Sequence, residues 1–115
     1  MYRKPDKDET GLLIQHTQYP TAHVIVLRGA TGPAAGHQLD AAFRRAAASG
    51  LPLIVDLAAL DFADEELLSH LLHAHQTSGL QLVGPLAGPV QRRFHVTGAA
   101  TLFTLLPNLA AGLTP

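Results

Sequence analysis

LPLIVDLAALDFADEELLSHLLHAHQTSG, residues 51–79, changes its hydrophobic rhythm partway along. LPLIVDL (51–57) is nearly all apolar, the pattern of a central strand covered on both faces. After Asp64, leucines fall at 67, 68, 71 and 72, the spacing of a helical stripe, and Gly79 can end that helix. A buried strand running into an amphipathic helix is half of a crossover between parallel strands, so this stretch points to an α/β fold.

At 100° per residue, Leu67, Leu68, Leu71, Leu72, Ala74, His75 and Ser78 share one side of the helix. The leucines are expected in the core, each worth roughly 1.5–3 kcal/mol when buried. His75 is expected as a partly buried, hydrogen-bonded packing residue. Glu66, His70 and His73 fall opposite, on a face expected to be solvated, with Glu65, Ser69 and Gln76 along a flank.

Upstream, LLIQHTQ (12–18) and TAHVIVLRG (21–29) read as a strand pair separated by Tyr19-Pro20. ATGP (30–33) is turn material. From Ala35 the apolar spacing becomes helical, with Ala35, Leu39, Ala42, Phe43 and Ala46 on one stripe, and Gly50 suits a helix end. Downstream, LQLVG (80–84) reads as a strand and Gly88-Pro89 opens a helix to about Val96, closed by Thr97-Gly98. ATLFTLL (100–106) reads as a short strand, and Pro107 precedes a last helical turn or two. The expected fold is a single α/β domain over residues 11–115, behind a flexible tail at 1–10. It starts with a β-β pair and has a mixed, mostly parallel sheet of 4–5 strands with about four helices.

Composition narrows the function. With 47% hydrophobic residues the chain can build a core, and a net charge of −1 lacks the basic surplus of a nucleic-acid binder. No cysteine is present, which removes disulfides, thiolate catalysis and Cys-ligated zinc. MYRKPDKDET has no apolar signal-peptide core, and no apolar run approaches a membrane span. A cytoplasmic protein without membrane insertion is expected, and the Ala, Gly, Pro and Arg usage with scarce Lys fits a GC-rich bacterial genome.

The acids at Asp64, Glu65 and Glu66 admit several readings. Asp64 suits an N-cap, and negative charge in the first turn complements the free amides. Glu66, His70 and His73 are spaced to converge on a metal, but the sequence supplies no fourth ligand. Ser69 and Ser78 lack a nucleophile-elbow pattern, so no catalytic residue is assigned. GATGPAAG (29–36) matches neither dinucleotide nor P-loop motifs, and no cofactor is expected.

The order of elements and four landmarks resemble the STAS domains, which include bacterial anti-sigma-factor antagonists. The similarity spans about residues 12–113 and runs through VIVLRG (24–29), LIVDLAALDF (53–62), LVGP (82–85) and VQRRFHVTGAATLFTLLPNLAAGL (90–113). The last segment looks like the family ending V-x-x-x-L-x-x-T-G-x-x-x-x-F … P-x-L-x-x-A. The resemblance implies a non-enzymatic protein that binds an anti-sigma factor which is also a Ser/Thr kinase, or another protein of the same switching system. A homodimer is compatible with it. In such proteins the kinase phosphorylates a serine in a D-S-[ST]-G-L pattern opening the second helix.

That pattern falls on Asp64, Glu65, Glu66, Leu67 and Leu68, so Glu65 stands where the phosphorylated serine would be. A second motif, G-E-L-D, falls on Gly29, Ala30, Thr31 and Gly32, and its Asp is missing. Two adjacent glutamates approach the charge of a phosphoserine without its geometry. The resemblance therefore assigns Glu65 and Glu66 as the phosphosite equivalent. It places a partner surface at Ala30, Thr31, Gly32, Asp61, Asp64, Glu65, Glu66, Ser69 and His70. Competing readings are an accessory subunit of a membrane lipid or anion transporter, a metal protein using Glu66, His70 and His73, and a ligand site at the 29–36 turn.

Overall fold

A partly alternating β1 (Leu12–Gln18) and a β-branched β2 (His23–Ala30) form an antiparallel hairpin, with Leu12 opposite Gly29 and Gln18 opposite His23. The computed structural model describes residues 11–113, so the tail expected at 1–10 lies outside the described residues. A 3-10 turn (Pro33–Ala35) leads into α1 (Gly36–Ala48), which buries Leu39, Ala42, Phe43 and Ala46 as its stripe predicts. Then follow β3 (Leu53–Phe62), α2 (Glu65–Ser78), β4 (Leu80–Val83) and α3 (Gly88–Val96). A second 3-10 turn (Ala99–Thr101), β5 (Thr104–Leu106) and α4 (Leu109–Leu113) complete the described chain.

The five strands lie in sequence order, β1 antiparallel to β2 and every later pair parallel. Right-handed crossovers between strands in sequence order put every crossover helix on the same face. The main core agrees: Ile25, Leu27, Val55, Leu57 and Leu82 of the sheet pack with Leu39 and Phe43 of α1, Leu67 and Leu71 of α2, and Val90 and Phe94 of α3. The other face carries a smaller cluster of Ala22, Val24, Ile54 and Val83, with Leu109 and Leu113 of α4 packed against it.

Two sequence expectations are corrected. β3 runs to Phe62, five residues past the apolar run. Its register against β2 shifts between Val26 and Arg28 and again between Gly29 and Ala30. These irregularities break strict alternation, so inward positions move from Leu53, Val55 and Leu57 to Leu60. Asp56 Oδ1 accepts from the Ala58 amide there at 2.9 Å, and Gly29 takes φ +94°, a conformation few other residues adopt. The expected strand at 100–106 is mostly not strand. Residues up to Thr101 form the 3-10 turn, and only Thr104–Leu106 pair with β4.

Candidate functional site

The carboxyl ends of parallel strands are where crossover loops gather. Here the loops after β2 and β3 are joined through one side chain. Thr31 is 3% exposed. Its amide donates to the Phe62 carbonyl at 3.0 Å, and its Oγ1 accepts from the Asp64 amide at 2.8 Å. Asp64, in extended backbone, then caps α2: its Oδ1 accepts from the Leu67 amide at 3.1 Å. A Thr-to-Asp relay thus fixes where α2 begins.

This brings together the two stretches singled out in the sequence. Thr31 is buried and positions the others. Ala30 and Gly32 are half-buried, and a side chain at Gly32 would meet nothing within 4 Å. Asp61, Glu65 and Ser69 are exposed, while Asp64 and His70 are half-buried.

The two glutamates diverge. Glu65 and Ser69 border a groove of about 230 Å³ whose apolar lining comes from Leu68, Leu72, Leu102 and Phe103. Glu66 turns to α1, where a Cβ added to Gly36 would come within 2.6 Å of its carboxylate. The His70 ring stacks on Phe43 of α1, centroids 5.1 Å apart and planes at 13°. Of the face expected to be solvated, His70 is packed into the seam with α1 while Glu66 and His73 stay exposed, and Leu72, expected in the core, is 38% exposed at the groove. α2 packs on α1 as well as on the sheet, which a helical wheel does not encode.

The metal reading does not fit this arrangement. Glu66 and His70 approach to 3.9 Å, but among the described residues no group of three or more His, Asp or Glu could hold a metal ion. Stacking on Phe43 holds the His70 ring in the seam. His75 is half-buried and packs edge-on to Phe103 at 5.3 Å, as expected of a packing residue, but among the described residues its Nδ1 lacks the hydrogen bond expected of it.

Sequence reasoning missed Phe62, Leu102 and Val96, which are 40%, 49% and 78% exposed around this end of the sheet. For Phe62 and Val96 the available signal was an apolar residue at the very end of β3 or α3, where periodicity no longer places it inside; Leu102 follows the second 3-10 turn and had none.

No protein-family model matches the sequence, and no curated protein sequence does either. Solved structures do. An anti-sigma factor antagonist from Mycobacterium paratuberculosis superposes with a TM-score of 0.78 at 21% identity, covering 89% of this chain and 91% of that one. The anti-sigma factor antagonist SpoIIAA in its unphosphorylated form gives a TM-score of 0.68 at 19% identity, covering 82% and 88%. Over most of its described length, the chain has the STAS fold of the anti-sigma factor antagonists.

Proposed function

We propose that this protein is a non-enzymatic, cytoplasmic binding protein of the antagonist type. Its partner is a kinase-type anti-sigma factor or another protein of the same switching system, docking on the surface formed by residues 30–32 and 61–70. The observation that carries this reading is the coincidence of the whole-chain fold likeness with the Thr31 relay, which gathers both stretches at one end of the sheet.

Glu65 gives the surface its distinctive chemistry. Asp64 makes the capping hydrogen bond, and among the described residues the Glu65 carboxylate has no hydrogen-bond or ion-pair partner. Its permanent charge is available to a partner, beside apolar groove walls. A related protein carrying serine there alternates between two charge states; this one is held in the charged state and selects a partner that prefers it. Glu66, turned to α1, contributes to the helix junction.

The test is calorimetric titration of the purified protein against the kinase-type anti-sigma factors of its own genome. Binding that changes at least about tenfold with Glu65→Ser, about 1.4 kcal/mol, is the expected result. Glu65→Ser costs at most about 1 kcal/mol of stability, so a folded variant is expected. Failure to bind any of these proteins overturns the reading, and unchanged affinity reduces Glu65 to a first-turn charge.

A further inference from the structure

A second cleft lies apart from Glu65, between the end of β3 and α3. It measures about 380 Å³ and is lined by Phe62, Pro89, Arg92, Arg93 and Val96. We propose that this cleft is an anchor site for a segment of a partner protein that presents a carboxylate beside an apolar side chain. It rests on the protein-binding reading above and adds a second point of attachment with opposite charge.

The lining has two kinds of chemistry. Phe62 at 40% and Val96 at 78% exposure leave apolar surface in water, which isolated residues do without consequence but which here lines one cleft. The Arg93 guanidinium lies over the Phe62 ring, 5.6 Å from its centroid. A guanidinium beside a ring still carries five N–H donors, enough to meet a carboxylate in two parallel hydrogen bonds. Among the described residues, neither Arg92 nor Arg93 has an ion-pair partner. Two unpaired guanidinium groups beside an exposed aromatic ring complement an acidic and apolar segment. Aromatic and arginine side chains are also the types that dominate protein interfaces.

The walls decide between a protein and a small molecule. Small-ligand sites bury most of the ligand's surface. Here Phe62 and Val96 leave part of the lining in water, which suits a side chain delivered by a larger body.

The test needs no partner protein. The ¹⁵N-labelled chain is titrated with the end-blocked peptide Ser-Glu-Phe-Ser, with its counterpart Ser-Gln-Phe-Ser, and with ATP. The acidic peptide is expected to give saturable shifts, in the millimolar range, confined to the amides around Phe62, Arg92, Arg93 and Val96. The Gln peptide should bind about tenfold more weakly, as should the acidic peptide to Arg93→Gln, while Arg92→Lys retains most of the binding. The amide spectrum itself reports whether each variant is folded. Absence of shifts, equal binding of both peptides, or shifts centred on Leu68 and Leu72 overturn the proposal. So does ATP binding the same amides more tightly than the peptide. Since the peptides interrogate the cleft alone, this outcome and the anti-sigma titration fail independently.

Discussion

One hydroxyl does much of the work of shaping the surface. Thr31 Oγ1 receives the Asp64 amide proton at 2.8 Å inside a site that is 3% open to water. Thr31→Val keeps the shape and leaves that amide without its partner, so unfolding free energy should fall by about 1–3 kcal/mol. Thr31→Ser, which keeps the hydroxyl, should stay within about 1 kcal/mol of the parent. Urea melts of the pair decide the matter: a loss in Thr31→Ser as large as expected for Val, with Thr31→Val near the parent, would assign the effect to packing of the methyl group. The sequence exposed Thr31 only as part of a turn and of a resemblance. Its burial follows from a contact across 33 residues of chain, which no local pattern contains.

At the scale of the element, α2 separates what periodicity can and cannot tell. The wheel placed Leu67, Leu71 and Ala74 inside, and they are buried. It also placed Leu72 inside and His70 in solvent, because it gives directions without saying what stands in each one. Leu71, 0% exposed, should cost about 2–5 kcal/mol on truncation to Ala. Leu72→Ala should cost less than about 1 kcal/mol, and equal losses in thermal melts would mean the helix is rotated. The junction with α1 makes a second prediction. Gly36→Ala should gain about 0.5–1 kcal/mol of helix stability, but the new methyl meets the Glu66 carboxylate at 2.6 Å. The gain should therefore be larger in a Glu66→Ala background than in the parent. A double-mutant cycle with no coupling would put that carboxylate elsewhere. β3 failed differently: its register shifts hide the second half of the strand from any period-two search.

For the molecule as a whole, element order was legible because each apolar run and each Gly or Pro break survives as a local signal. The sequence-ordered sheet and single helical face then follow from the handedness of crossovers. A pairing of buried His23 with half-buried His16 was not legible, since it joins residues on different strands. His16 Nδ1 and His23 Nε2 lie 2.8 Å apart, and His23 is 2% exposed. His23 opens β2 and His16 lies near the end of β1, at the opposite end of β2 from Thr31. A hydrogen bond between two imidazoles needs one neutral acceptor, so the pair tolerates at most one proton more than its neutral form. Burial, then Arg45 of α1, and for His16 also the facing ring, push both pKa values below 6.5. The unfolded chain thus takes up protons at a pH where the native pair does not. Stability contributed by this pair is complete above about pH 6.5 and is lost as pH falls through the lower native values. Urea midpoints of the parent should drop between about pH 7 and about pH 5, and His16→Gln, which removes one titrating ring, should flatten that slope. Partner affinity per folded molecule should not follow it, because the pair lies away from the Glu65 surface. A slope unchanged in His16→Gln would move the acid sensitivity to other groups and leave the pair a packing contact.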